Sequence, residues 1–260
     1  MTATGARLIR PATSDAPQRV LLLSGLAGND AVWEPFTDEL PGGAEVWMAE
    51  LPWSSFSDPA WSHRGDPAEW IGRSLVAMPG TVDVVVAHSF AVPLTLEWLA
   101  RNADRPRSAM VLAPFHRPTP GDFTWDTAST YLNGFHRILE EGLRVRSAGR
   151  LGDDVVAGMA RRVRDRIGPY GWTRFFDAYL RTPFLDVAAL DLPVRIVAGA
   201  DDFCAPPGDA AALAARLPDA RLEILTGCGH FPMAERPGHC AGVAGDLLRE
   251  LVRLTTTSRS

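Results

Sequence analysis

The sequence predicts a mainly parallel, doubly wound α/β sheet carrying an inserted helical segment. Three observations carry this expectation. Short apolar runs such as "RVLLLS" at 19–24 and "VVVAH" at 84–88 read as strands buried on both faces, and helical stretches separate them. From about residue 115 to 190 no convincing strand occurs, only helical segments with charged faces and aromatics. The alternation then resumes with "VRIVAG" at 194–199.

Taken in order, the strand at 19–24 leads into the glycine-bearing loop "GLAGND", a helix over about 31–40 and the turn Pro41-Gly42-Gly43. "AEVWMAE" at 44–50 reads as a second strand. Asp66-Pro67 gives an N-cap followed by proline at the first helical position, opening a helix to about residue 78. The strand before Ser89 follows, with a helix to about 102, and then the strand "SAMVLA" at 108–113. Helices are expected over 131–141, 155–167 and 172–180, then a helix at 208–217, the strand "ARLEILT" at 220–226 and a last helix over 235–254. This divides the chain into a core of residues 1–114 and 191–260 and an insertion of residues 115–190. In such sheets ligands bind at the carboxyl ends of the strands, so the insertion is expected to cover a site there.

Composition excludes several classes. A net charge of −5 over 260 residues leaves no basic footprint for nucleic acid. The three cysteines are too few and too irregularly spaced for a disulfide framework or a zinc site, which suits a reducing compartment. The polar, proline- and alanine-rich residues 1–18 lack the apolar core of a signal peptide, and no run reaches the roughly 18 apolar residues that span a bilayer. A cytoplasmic protein with no membrane partner is expected; the oligomeric state is not encoded. All 26 basic side chains are arginine, which excludes a lysine Schiff base or a phosphate loop built on lysine.

Chemistry gathers at strand ends. Ser89 sits in "AHSFA" between a strand and a helix, with alanine at 87 and 91 where a crowded turn needs small residues. Alone it reads equally as a helix cap. His230, in "TGCGHFPMAERP", follows a strand and is flanked by glycines at 227 and 229; a histidine there could take the serine's proton. "VAGADDFCAPP" offers Asp201 and Asp202 after another strand, either as an imidazole-orienting carboxylate or as a turn. Serine, aspartate and histidine in that order, each directly after a parallel-type strand, make a joint constellation. An oxyanion would require two N–H donors, expected from Phe90 and from Leu26 in "SGLAG". His63, His88, His116, His136 and His239 lack such a setting and are expected to be bystanders.

Together these segments resemble the α/β-hydrolase superfamily over nearly the whole length. "SGLAG" through Trp33 looks like its oxyanion loop, "AHSFA" like its nucleophile elbow, "GADDFCAPP" like its acid loop and "GCGHFPMAERP" like its histidine loop. The resemblance puts the acid on Asp202, with Asp201 in reserve, and makes residues 115–190 a lid. Two departures stand out: Ser24 where histidine is common, and alanine at both glycine positions of the elbow. The resemblance implies a serine hydrolase that cleaves a small-molecule ester or thioester of a hydrophobic acyl compound, with no cofactor and no metal. Trp125, Tyr131, Phe135 and Phe176 of the insertion are expected to line the acyl pocket. The rival readings are a biosynthetic tailoring enzyme on the same fold (lyase, cyclase or C–C bond hydrolase) and a non-catalytic ligand-binding receptor.

Overall fold

The computed structural model describes residues 5–54 and 59–257. Seven strands form one sheet: β1 (Ala6–Arg10), β2 (Gln18–Leu23), β3 (Ala44–Ala49), β4 (Val84–His88), β5 (Ser108–Leu112), β6 (Val194–Gly199) and β7 (Ala220–Leu225). Their spatial order is β1-β3-β2-β4-β5-β6-β7, and every neighbouring pair is parallel except β1 with β3. The central register sets Leu23 beside Ala87 and His88 beside Leu112, so β2, β4 and β5 end at a common rim.

The period of two along each strand divides the core into two layers. Leu21, Leu23, Val85, Ala87 and Val111 face one side, where they pack with residues of α2 (Ala68–Val76), α3 (Ala91–Arg101) and α6 (Pro207–Arg216). Val20, Leu22, Val84, Val86 and Met110 face the other, against α1 (Glu34–Glu39) and α8 (Pro237–Thr257). A four-residue helix, α7 (Pro232–Glu235), precedes α8. Among the described residues no helix is long and apolar enough to cross a membrane.

The N-terminal segment, for which the sequence predicts no strand before residue 19, contributes the edge strand β1. Its residues are half-exposed, as an edge pairing on one side only requires, and that erases the hydrophobic signal. Arg10 anchors the edge by donating to the carbonyls of Thr37, Leu40, Pro41 and Ala44.

Between β5 and β6 lie α4 (Trp125–Ser147) and α5 (Asp153–Leu180), which pack against each other. Thr124 caps α4 by accepting the Thr127 N–H. In α5 the two expected helices run together through a kink, where Gly168 takes φ 66° and ψ 177° ahead of Pro169. A proline cannot continue the hydrogen-bond ladder, and the residue before it is pushed to an extended ψ. The segment is rooted in the core by an aromatic cluster, with Phe115 within 5.1–6.0 Å of the Tyr131, Phe175 and Tyr179 rings. Two hydroxyls complete the attachment: Tyr131 donates to the Cys204 carbonyl at 2.6 Å and Tyr179 to Asp209 at 2.6 Å.

Candidate active site

Ser89 follows the last residue of β4 and takes φ 55°, a conformation that costs a non-glycine residue about 1–3 kcal/mol. The strand is anchored up to that point, since the Ser89 N–H donates to the Leu112 carbonyl at 3.0 Å, and its carbonyl accepts the Val92 N–H of the next helix. Strand and helix thus pin a left-handed turn between them, with the hydroxyl at the sheet rim.

The hydroxyl lies 2.9 Å from His230 Nε2, and His230 Nδ1 lies 2.7 Å from Asp202 Oδ2. With the Nδ1–H donating to the carboxylate, Nε2 is left as an acceptor for the serine proton. The second Asp202 oxygen accepts the N–H groups of Cys204 at 2.8 Å and Ala205 at 2.9 Å. Burial disfavours the Asp202 carboxylate, yet the His230 charge and these hydrogen bonds hold it below its ordinary range. Burial likewise opposes imidazolium at His230, but Asp202, then Glu141 and Glu235, outweigh it and raise the imidazole. Asp201, the reserve carboxylate, is exposed and makes no side-chain bond to His230 among the described residues.

The loop after β2 lies against the serine. A Cβ on Gly25 would come 2.9 Å from Ser89 Cβ and 3.1 Å from the His88 carbonyl, so only glycine allows this approach. Two indoles hold the loop through Ser24: Trp33 donates to its Oγ at 2.8 Å and Trp53 to its carbonyl at 2.9 Å. Ser24 therefore serves as a brace where the resemblance leads one to expect histidine. Among the described residues the N–H groups of Leu26 and Phe90 have no acceptor within the chain, which leaves both available to a ligand oxygen.

Ser89 and His230 open on a cavity of about 240 Å³. The wall from the helical segment is mostly aliphatic, with Ile138, Leu139 and Leu143 from α4 and Met159 and Val163 from α5 beside the charged Arg146. None of the four aromatics expected there lines it. Trp125 is 91% exposed at the start of α4, while Tyr131, Phe135 and Phe176 are buried in the cluster that anchors the insertion. The reason is axial position. Tyr131, Phe135, Ile138 and Gly142 share one helix face, but from Tyr131 to Gly142 the helix rises roughly 16 Å at about 1.5 Å per residue. The N-terminal half therefore meets the core and the C-terminal half overhangs the serine.

Sequence reading also missed two polar residues. His88, expected to be a bystander, donates from Nε2 to the His230 carbonyl at 2.8 Å and lines the cavity. Burial, then the neighbouring His230, lowers its pKa to about 3, so it stays neutral. Glu141 of α4 accepts the His230 N–H at 3.0 Å. The position of His88 one residue before the serine was the only available signal for the first; the second depends on how α4 packs. As for metal ligands, atoms of Asp202, Cys204 and His230 lie within 4.8 Å of one another. Burial holds the Cys204 thiol well above its ordinary range, however, and a neutral thiol is a poor ligand.

This arrangement can pass a proton from a serine hydroxyl to an imidazole beside two unused N–H donors, the requirement of acyl transfer. Among curated proteins the chain is similar to a pimeloyl-[acyl-carrier protein] methyl ester esterase from Aromatoleum aromaticum, 27% identical over 88% of this chain and 98% of the relative. A shorter stretch is 46% identical to a proline iminopeptidase from Lactobacillus delbrueckii subsp. lactis, over 18% of this chain and 15% of that protein. Among solved structures it is similar in fold to a meta-cleavage product hydrolase from Pseudomonas fluorescens IP01, with a TM-score of 0.68, 16% identity and coverage of 95% and 94% of the two chains. A hydrolase from Oleispira antarctica gives 0.63 and 19%, with 95% and 94% covered. Residues 20–239 match the alpha/beta hydrolase family as a whole, across the serine, aspartate and histidine loops alike, and the chain belongs to that family.

Proposed function

We propose that the protein is a serine esterase or thioesterase acting on a small molecule with an apolar acyl group. The observation that carries this reading is the hydrogen-bonded series Ser89–His230–Asp202 opening on an aliphatic cavity. Ser89 Oγ attacks the carbonyl carbon while its proton passes to His230 Nε2, and Asp202 stabilises the imidazolium that forms. The carbonyl oxygen, now negative, accepts the N–H groups of Leu26 and Phe90; one such donor is worth about 2.7–4 kcal/mol in the transition state. His230 returns the proton to the leaving oxygen or sulfur, the C–O or C–S bond breaks, and the acyl group remains on Ser89. Water, deprotonated by the same imidazole, then releases it as a carboxylic acid.

The aliphatic wall supports an acyl chain, and the esterase relative supports the ester side of the reaction. In this reading α4 and α5 form a lid whose C-terminal and N-terminal halves, respectively, shape the acyl site. The test is a burst of chromophore from p-nitrophenyl esters, together with fluorophosphonate labelling mapped by mass spectrometry. Labelling at Ser89 and loss of the burst in Ser89→Ala are expected; an unchanged burst in that variant removes the serine from the mechanism. A product with a rearranged carbon skeleton would favour the tailoring enzyme. Ligand-raised melting temperature without turnover across ester, thioester and lactone panels would favour the receptor.

A further inference from the structure

Glu141 is a carboxylate that proton transfer among Ser89, His230 and Asp202 leaves unused. It reaches the site from α4, in the helical insertion, and its Oε1 accepts the His230 backbone N–H at 3.0 Å. Its Oε2 is buried with no hydrogen-bond partner among the described residues. The contact is close: a Cβ on Gly229 would lie 2.2 Å from Oε1, and a Cβ on the next helix residue, Gly142, would lie 2.8 Å from Phe231 Cζ. Three successive N–H groups of the histidine loop therefore end on carboxylates. Gly229 at 2.8 Å and Phe231 at 2.9 Å donate to Glu235, six and four residues along the same chain segment, whereas His230 donates to a residue 89 positions away.

A neutral amide can also accept one backbone N–H, without placing a charge in a half-buried position. A half-buried carboxylate at this place, with one oxygen fully buried, adds a second acidic group beside His230 besides Asp202. We propose that Glu141 is a positioning residue that ties the helical insertion to the histidine, fixing the imidazole and favouring its protonated form during proton transfer. This rests on the serine-hydrolase reading above. The other groups around His230 are Asp202 and Cys204 beyond β6, His88 and Ser89 at the end of β4 and Glu235 on α7, and Arg146 of α4 lines the same cavity. Glu141 itself is raised above the ordinary carboxylate range by burial first, against the opposing pull of the His230 hydrogen bond and charge.

The experiment measures kcat, KM and the pH profile of kcat/KM for the wild type, Glu141→Gln, Glu141→Ala and Gly229→Ala, with melting temperatures and fluorophosphonate labelling of Ser89. Glutamine keeps the acceptor and removes the charge, so the acid limb, which requires a neutral imidazole, should move to lower pH. Alanine removes both and should lower kcat on the order of tenfold with little change in KM. Gly229→Ala, which displaces the carboxylate without altering it, should act in the same direction as Glu141→Ala. An unmoved acid limb in Glu141→Gln overturns the proposal, including when activity falls only in step with melting temperature. If the wild type itself neither labels at Ser89 nor turns over esters, the hydrolase reading fails first and takes this one with it.

Discussion

The rim of the sheet and the insertion above it are built in opposite ways. Ser89, Asp202 and His230 each stand just beyond a strand, and each is held by hydrogen bonds at that strand end: the Ser89 N–H on the Leu112 carbonyl of neighbouring β5, the Asp202 carboxylate on the Cys204 and Ala205 amides, and the N–H groups of the His230 loop on the Glu235 carboxylate. The wall facing them comes from two long helices whose placement depends on a distant aromatic cluster. A site fixed by local backbone geometry tolerates little change. A wall fixed by helix packing can be re-lined without disturbing the chemistry below it. In the proposed reading the reacting atoms and the wall that would hold the acyl group thus come from different parts of the fold, with Glu141 linking them.

Asp202→Asn gives the largest expected loss, because an amide in place of the carboxylate favours the wrong imidazole tautomer. A fall in kcat on the order of 10⁴-fold is expected, with melting temperature as the control for folding. A loss below tenfold would mean that the carboxylate is not the orienting group. Gly25→Ala comes next: its methyl would press on Ser89 Cβ and the His88 carbonyl, at 2.9 and 3.1 Å. A kcat reduction on the order of 10²-fold, with KM nearly unchanged, is expected from displacement of the oxyanion donors. Full activity in that variant would show that the loop can retreat and that the Leu26 N–H is dispensable.

On the helical side, Leu143→Phe should shorten the preferred acyl chain, shifting the long-to-short ratio of kcat/KM about tenfold or more while the burst on acetyl esters persists. An unchanged chain-length profile would place the acyl group outside this cavity. The smallest effect is expected at Trp125, 91% exposed, where alanine should change neither kcat/KM nor stability by more than about 0.5 kcal/mol. A marked loss of affinity there would restore the expectation that this aromatic meets substrate.

Legibility followed the same division. "VVVAH", "VRIVAG" and the glycine-flanked His230 are local signals, and the strands and strand-end residues they predict stand close to where expected. The break in α5 is expected from the sequence only as a gap between helices over 155–167 and 172–180, and Gly168-Pro169 falls in that gap. The edge strand β1 escaped because half-exposed residues carry no clear alternation. The aromatics of the insertion misled because Tyr131 and Phe135 share a helix face with Ile138, and composition does not say which end of that face meets the core. Glu141, the last residue of the helix expected over 131–141, is not singled out by the sequence; the burial of its Oε2 comes from α4 packing on the histidine loop.

By itself the sequence determined the alternation of strands and helices, the long helical stretch between the strands at 108–113 and 194–199, and the three strand-end loops that could carry a serine, an acid and a base. Those features follow from interactions between residues near in sequence: β-branched runs, helix caps, glycine and proline. The tertiary structure alone decided that Ser89, His230 and Asp202 lie within hydrogen-bond reach, that an aliphatic wall rather than an aromatic one faces them, and that a carboxylate from the insertion closes on the histidine. Each of those is a meeting of distant segments, set by how much apolar surface the packed elements can bury together, and no short stretch of chain encodes it.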